Sequence, residues 1–149
     1  MLYIGLPSRD EAAKVRRAVE QRGLTSHMND TKWRALCTAI AQKLPFPPPY
    51  QAKLVLSETA DPEVFEAAPS YWGDWARTPE ASMGIFIEWL KVAPRVSVHM
   101  GQLVAPRIDD CAAPLRDILK DLRIPFREED GFFIIYGHTP SAETLLSHN

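Results

Sequence analysis

Apolar residues recur at helical spacing in three stretches of the chain. In residues 30–43 and 111–122 they follow the i, i+3, i+4, i+7 pattern, which predicts two helices that each bury one face. Residues 8–22 hold fewer apolar positions, but the polar residues that flank them are typical of helix ends. The predicted caps are Asn29 or Asp30 for the first helix, Asp109 or Asp110 for the second, and Ser8, Glu11 and Gly23 for the third.

Short apolar runs and alternating patterns predict the strands. Residues 53–58 and 84–92 form two of them, and Ile85, Ile87 and Trp89 are expected on one face of the second. The remaining predicted elements are a hairpin over 95–108 that turns at Met100-Gly101, a hairpin over 125–136 that turns at Asp130-Gly131, and a short helix over 61–67.

Together these elements predict an α+β fold. We expect an antiparallel sheet of about five or six strands with helices packed on one face, which is a two-layer sandwich. The proline-rich run 45–49 ends the helix over 30–43, and we expect it to form a stiff, polyproline-like connector on the domain surface. The alternative is that this run is a ligand for an aromatic groove on another protein.

A change in charge divides the chain near Met28. Residues 1–27 contain five basic and three acidic side chains, whereas residues 28–149 contain 12 basic and 16 acidic ones. We therefore expect a single α+β domain over 28–140, preceded by an N-terminal extension or upstream segment that the fold does not need and followed by a flexible tail over 141–149. The alternative is that residues 1–27 form a strand and a helix that belong to the fold.

The composition excludes several classes of protein. The chain has 149 residues, 46% of them hydrophobic, so it is too apolar to be disordered. It has no apolar run long enough to span a membrane, and its net charge of −2 gives no argument for nucleic-acid binding. With only two cysteines and no signal peptide, we expect a cytoplasmic protein with reduced thiols.

The residues that carry common chemistries are scattered along the chain. Cys37 and Cys111 stand alone, the four histidines have no paired spacing, and the seven glycines form no phosphate-binding loop. Cys111 is expected to be a small buried residue at the start of a helix, not a nucleophile. We therefore predict no catalytic, metal-binding or cofactor-binding residues, and a protein that is not an enzyme.

An aromatic segment at residues 69–80 is the most unusual feature of the sequence. Tyr71, Trp72 and Trp75 fall within five residues of a stretch that has no helical or strand periodicity. Aromatic side chains are favoured anchors of protein interfaces, so Trp72, Trp75 and the intervening Asp74 are candidate partner-binding residues. The alternative is that both tryptophans are core residues at the end of the sheet.

Acidic residues at the last predicted turn extend this hypothesis. They are expected at an exposed hairpin tip, and the excess of acidic side chains over residues 28–149 suits a partner with a basic surface. The predicted partner-binding residues are therefore Trp72, Asp74, Trp75, Glu128, Glu129 and Asp130.

Four short segments carry a resemblance to known proteins. They are Met28-Asn29-Asp30-Thr31-Lys32-Trp33, Gly73-Asp74-Trp75, Ile87-Glu88-Trp89-Leu90 and Phe133-Ile134-Ile135-Tyr136-Gly137-His138-Thr139. Over roughly residues 28–140 the chain resembles a family of small bacterial proteins of uncharacterised function. Small acidic α+β proteins of this kind are similar to the immunity proteins that accompany bacterial toxins. The resemblance implies no catalytic residues.

What the resemblance implies is a non-enzymatic binding protein of the cytoplasm. We expect an immunity protein that occludes the basic active-site surface of a toxin domain with acidic loops and one or two aromatic anchors. One alternative is a small-ligand-binding protein or enzyme with a cleft near Trp72, Trp75, Asp74 and His99. Another is a regulatory module that forms a homodimer.

Overall fold

The computed structural model describes residues 9–75 and 84–140 of the chain. Those residues form three α-helices and nine β-strands. In chain order the elements are α1 (Arg9–Gln21), β1 (Thr25–Ser26), α2 (Asp30–Lys43), β2 (Tyr50–Leu54), β3 (Ala60–Asp61), β4 (Ile87–Val92), β5 (Arg95–Val98), β6 (Arg107–Asp110), α3 (Ala112–Asp121), β7 (Phe126–Glu129), β8 (Phe132–Tyr136) and β9 (His138–Thr139).

A five-stranded antiparallel sheet with the strand order β3-β2-β4-β8-β7 forms the centre of the fold. β7 and β8 are joined by the predicted tight turn, in which Asp130 and Gly131 have φ angles of 53° and 83°. Two further antiparallel pairs, β1 with β9 and β5 with β6, lie outside this sheet. The predicted α+β class is confirmed.

The core lies between one face of the sheet and the helices α2 and α3. Ala52, Leu90 and Ile135 are in register on β2, β4 and β8, so their side chains share a face. They belong to one buried cluster with Trp33 of α2 and Leu119 of α3. Because the apolar stripes of both helices pack on the same face, the predicted two-layer arrangement is confirmed.

The end of α1 and the start of α2 follow the predicted capping residues. The side chain of Asn29 accepts a hydrogen bond from the backbone N–H of the third residue of α2 at 2.8 Å. The N-cap residue of α3 is Cys111, not the predicted Asp109 or Asp110, but the side chain of Asp110 accepts a hydrogen bond from the backbone N–H of Ala112 at 2.8 Å. Gly23, with a φ angle of 64°, follows α1 in the left-handed conformation that closes a helix. Ser8, the predicted N-terminal cap of α1, lies outside the described residues.

A bulge interrupts β4 at Glu88. Lys53 pairs with Trp89, but the next residue of β2, Leu54, pairs with Ile87, so Glu88 has no partner in the register. The extra residue directs Ile87 into the main core, whereas Trp89 lies on the opposite face of the sheet. The prediction that Ile87 and Trp89 share a face is wrong, because alternation is broken across a bulge.

The proline-rich run 45–49 is a connector between α2 and β2. Pro48 and Pro49 are buried, and the Pro49 carbonyl accepts a hydrogen bond from the backbone N–H of Ala93 at 3.0 Å. Because of this contact, the chain joins the sheet directly after the prolines. β2 therefore begins at Tyr50, earlier than the predicted strand over 53–58.

The short helix predicted over residues 61–67 does not form. Asp61 instead pairs with Ala52 at the edge of the sheet. The side-chain amide of Gln51 donates a hydrogen bond to the Pro62 carbonyl at 2.7 Å. Both contacts hold the backbone at the sheet edge where the helix was expected to start.

The hairpin predicted over residues 95–108 forms, but without a tight turn. Val98 pairs with Arg107, so the strands β5 and β6 are joined by the long loop 99–106. The predicted turn residues, Met100-Gly101, lie inside this loop.

The residues before Met28 contact the rest of the fold. Val15 of α1 is buried, β1 pairs with β9, and Arg22 forms an ion pair with Glu88 at 2.7 Å. These contacts favour the alternative in which this part of the chain belongs to the fold, and the dispensability of residues 1–27 stays a prediction. The predicted tail, 141–149, lies outside the described residues.

Candidate functional site

The aromatic segment is held against the proline-rich run. The Gly73 N–H donates a hydrogen bond to the Pro47 carbonyl at 3.2 Å, and the Trp75 indole N–H donates one to the Pro48 carbonyl at 2.7 Å. Gly73 lies so close to the Pro48 carbonyl oxygen that a Cβ atom would overlap with it, which explains a glycine at this position. Residues 71–75 therefore follow a fixed path.

The two tryptophans of this segment have opposite environments. Trp75 is 5% exposed, and its ring meets the ring of Tyr50 edge-on with the centroids 5.1 Å apart. Trp72 is 65% exposed and Tyr71 is 43% exposed. Trp75 is thus a core residue that supports the segment and does not present its ring to a partner, whereas Trp72 lies at the surface. Residues 76–80 of the predicted aromatic segment lie outside the described residues.

A cleft of about 370 Å³ lies between the aromatic segment and the edge of the sheet. Trp72 and Asp74 line it, as one of the alternatives predicted, whereas Trp75 and His99 do not. The lining residues come from the start of β2, the end of β3 and the aromatic segment: Pro49, Tyr50, Asp61, Pro62, Tyr71, Trp72, Gly73 and Asp74.

Carboxylates lie in and beside this cleft. Burial raises the pKa of Tyr71, and the nearby carboxylates of Glu66 and Asp61 raise it further. Burial also raises the pKa of Tyr50, with an additional contribution from the charge of Asp74. Among the described residues that line the cleft there is no lysine, arginine or histidine. A cation would therefore be favoured in the cleft over an anion.

The carboxylates of the predicted acidic hairpin are paired within the chain. Glu128 accepts two hydrogen bonds from Arg116, at 2.6 Å and 2.8 Å. These bonds lower the pKa of Glu128, although its partial burial opposes the change. Glu129 lies 2.9 Å from the guanidinium of Arg127. Asp130 occupies the exposed turn, so two of the three predicted acidic residues are neutralised by arginines.

A second groove, of about 450 Å³, lies beside Glu128. It is formed by the end of α3, the connection to β7 and the first part of β7. Lys120 and Arg123 line it together with Glu128, so its charges are mixed. The groove has no exposed aromatic side chain among its described residues, and we do not consider it the functional site.

The aromatic segment and the hairpin tip lie at the same end of the sheet but at different edges. Tyr50 and Phe133 pair with the same residue of β4, which places both regions at one end. β4 and β8 separate β2 from β7, a distance of about 14 Å at ordinary strand spacing. The Arg95 guanidinium donates to the carbonyls of Ala67, just before the aromatic segment, and of Gly131 in the hairpin turn, at 3.0 Å and 2.9 Å. The six predicted residues thus form two regions.

The loop 99–106 adds an exposed apolar surface that the sequence analysis did not identify. The Ser97 N–H donates a hydrogen bond to the Pro69 carbonyl at 2.8 Å, so β5 runs beside the start of the aromatic segment. The sequence held a signal for this surface, because four apolar residues fall within or beside the turn of a predicted two-stranded hairpin, where few other side chains can cover them. The exposed side chains are Met100, Leu103 and Val104 of the loop and Ile108 of β6.

His138 of β9 links β1 to the chain just before β4. Its Nε2 atom lies 2.9 Å from the Ile85 carbonyl oxygen, and its Nδ1 atom lies 2.8 Å from the Ser26 hydroxyl. A carbonyl only accepts, so Nε2 carries the hydrogen and Nδ1 accepts one from Ser26. The ring is buried and both nitrogens are occupied, which indicates a structural role.

The remaining reactive side chains are also buried or dispersed. Cys111 is fully buried, as predicted, and burial raises the pKa of its thiol to about 12. Across residues 9–75 and 84–140, no group of three or more His, Cys, Asp or Glu side chains is placed to hold a metal ion. No helix in these ranges is long and apolar enough to cross a membrane.

Residues 15–142 of the chain match a family of unknown function, DUF6678. The match covers more than half of the chain, so the chain belongs to this family. The matched region begins within α1, upstream of the four segments that carried the resemblance in the sequence. No curated protein and no solved structure matches the chain.

Proposed function

We propose that this chain is a non-enzymatic binding protein whose exposed surface around Trp72 docks onto another protein. In its specific form, the proposal is a cytoplasmic immunity protein that covers the basic active-site surface of a bacterial toxin domain. The observation that carries it is the 65% exposure of Trp72 on a segment whose path is fixed by the proline-rich run.

The exposed rings of Trp72 and Tyr71 offer apolar area that a partner can cover. Trp72 and Tyr71 expose apolar area that contributes to affinity only after it is removed from water. Because Gly73 and Trp75 hold the backbone of this segment in place, little conformational entropy is lost when a partner binds. An anchor of this type is characteristic of the residues that dominate interface energies.

The charge of the same region supports a basic partner. Asp61 lines the cleft beside Trp72, and Glu66 lies close enough to Tyr71 to raise its pKa. Complementary charge accelerates encounter with a partner and fixes its orientation. The carboxylates of the hairpin tip contribute less, because arginines neutralise Glu128 and Glu129.

The exposed apolar side chains of the loop 99–106 extend the proposed surface. The contact between Ser97 and Pro69 places the strand that leads into this loop beside the aromatic segment. Exposed apolar clusters of this kind mark interaction sites on soluble proteins. We therefore propose that one partner contacts both Trp72 and Leu103.

The proposal is tested with the protein encoded beside the gene for this chain. We expect the two to form a stoichiometric complex on size-exclusion chromatography, and co-expression of this chain to abolish the toxicity of its neighbour. Trp72→Ala is expected to weaken the complex and the protection. A matched control is Val64→Ala, which truncates another exposed apolar side chain that lies outside the cleft. The absence of a complex, or equal behaviour of both variants, would contradict the proposal.

A small-ligand-binding protein is the second candidate function, and the volume of the cleft favours it. At about 370 Å³ the cleft falls within the range of small-molecule sites. Isothermal titration with metabolite pools separates the two candidates. A ligand that binds the purified chain without any protein partner, and that loses affinity in Trp72→Ala, would support the second candidate.

A further inference from the structure

We propose that the cleft between Tyr71, Trp72 and Asp61 binds the guanidinium group of an arginine side chain supplied by the protein partner. This inference rests on the proposed function, because it names the chemical group that the Trp72 surface accepts.

The aromatic lining of the cleft provides the first half of the argument. Tyr71 and Trp72 are both more than one-third exposed and both line the cleft, so their rings are accessible from solvent. The faces of such rings attract cations, and the planar guanidinium group stacks on them especially well. A neutral polar ligand would gain much less from these rings.

The carboxylate of Asp61 provides the second half. Asp61 lies at the end of β3, at the edge of the main sheet, and its side chain is exposed. No lysine or arginine within residues 9–75 and 84–140 forms an ion pair with it. Its negative charge nevertheless reaches the phenols of Tyr50 and Tyr71. A carboxylate beside two aromatic rings can accept two parallel hydrogen bonds from the N–H groups of a guanidinium, while the rings stack on the guanidinium plane.

Other cations fit this lining less well. A metal ion would need several ligating oxygens or nitrogens, and no such group is present among the described residues. A lysine ammonium is compact and strongly hydrated, so it gains less from stacking than a guanidinium does. The cleft is therefore expected to prefer arginine over lysine.

The inference is tested with two short peptides, acetyl-Gly-Arg-Gly-amide and the same peptide with citrulline in place of arginine. Citrulline has nearly the same shape as arginine but carries no charge. Binding is followed by the NMR signal of the Trp72 indole N–H, which is assigned by its absence in Trp72→Phe. We expect a saturable shift of the Trp72 signal with the arginine peptide. The affinity for the citrulline peptide should be at least about tenfold lower.

Matched variants of the whole chain define the role of Asp61. Asp61→Asn is expected to weaken binding of the arginine peptide about tenfold and to leave binding of the citrulline peptide unchanged. Asp121→Asn removes the same charge at the exposed end of α3, outside the cleft, and is expected to leave both affinities unchanged. Equal binding of the two peptides, no effect of Asp61→Asn, or no shift of the Trp72 signal would overturn the inference.

Failure of this inference can be distinguished from failure of the proposed function. If Trp72→Ala weakens the complex with the neighbouring protein but the arginine peptide does not bind, the protein-binding surface stands and the arginine anchor is wrong. If the complex does not form at all, the proposed function is wrong, and peptide binding would then identify a cation-binding cleft with another purpose.

Discussion

The aromatic segment and the acidic hairpin differ in what their side chains already contact. Both contain predicted partner-binding residues, and both lie at the same end of the sheet. Glu128 and Glu129 of the hairpin are paired with arginines of the same chain. Trp72 of the aromatic segment is mostly exposed, and Asp61 beside it has no ion pair within the described residues.

This difference shows that exposure and charge do not by themselves make a residue available to a partner. The charge of Glu128 is already compensated by two hydrogen bonds from Arg116, so a partner's cation would gain less from this carboxylate. Trp72 and Asp61 lose only their contacts with water. The aromatic segment is therefore the better candidate for the functional surface.

The largest expected effect separates the two tryptophans of the aromatic segment. Trp75→Ala should destabilise the fold by about 3–5 kcal/mol, because it removes a buried ring and the hydrogen bond to Pro48. Trp72→Ala should change the free energy of unfolding by less than about 0.5 kcal/mol, because its ring is exposed. Chemical denaturation of both variants measures this. Similar losses in the two variants would show that Trp72 also belongs to the core.

A smaller loss is expected when the path of the aromatic segment is disturbed. Gly73→Ala adds a Cβ atom that overlaps with the Pro48 carbonyl oxygen, so we expect a loss of about 1–3 kcal/mol. The same change at Gly131 in the hairpin meets only the end of the Arg95 side chain, although its φ angle of 83° adds strain there. Unchanged stability of Gly73→Ala would mean that the segment is not fixed against the proline-rich run.

The exposed ion pair of the hairpin should matter less than either of these sites. Glu128→Gln removes the charge that pairs with Arg116, and exposed pairs of this kind stabilise proteins only weakly. We expect a small drop in melting temperature and no change in affinity for the partner protein. A large loss of affinity in Glu128→Gln would show that the hairpin contacts the partner protein.

The two regions should also respond to pH at opposite ends of the scale. Hydrogen bonds from Arg116 hold the pKa of Glu128 below its ordinary value of 4.5, so its stabilising contribution is present above that value and is lost as the pH falls through the lowered pKa. Burial and nearby carboxylates raise the pKa of Tyr71 above 10.0, so its contribution is fully present below 10.0 and is lost as the pH rises from there through the raised value.

Denaturation of Glu128→Gln and Tyr71→Phe across the pH range tests both directions. The difference in stability between the wild type and Glu128→Gln should shrink in acid. The wild type should lose stability relative to Tyr71→Phe in strong alkali. A stability difference for Glu128→Gln that grows in acid, or a wild type that gains stability relative to Tyr71→Phe in strong alkali, would contradict the environments described for the two side chains.

The fold could be predicted from the sequence largely because its signals are local. The helical spacing of Trp33 and Leu36, the cap at Asn29 and the Asp130-Gly131 turn each depend on residues close together in the chain. The bulge at Glu88 could not be predicted, because it depends on how β4 pairs with a strand more than 30 residues away.

The candidate site was predictable only in part, for the same reason. The pattern identified Trp72 and Asp74, but Asp61 is far from them in sequence and enters the cleft through the pairing of β3 with β2. Whether Trp75 is buried depended on the path of the proline-rich run. The pairing of Glu128 with Arg116 likewise required the packing of α3 beside β7.

The affinity of the neighbouring gene's protein for matched variants of this chain tests the proposed binding surface most directly. Isothermal titration should show that Trp72→Ala weakens the complex about tenfold or more, while Glu129→Lys has a smaller effect. Both variants are expected to remain folded, since both side chains are exposed. Unchanged affinity in Trp72→Ala together with a large loss in Glu129→Lys would place the binding surface on the hairpin instead.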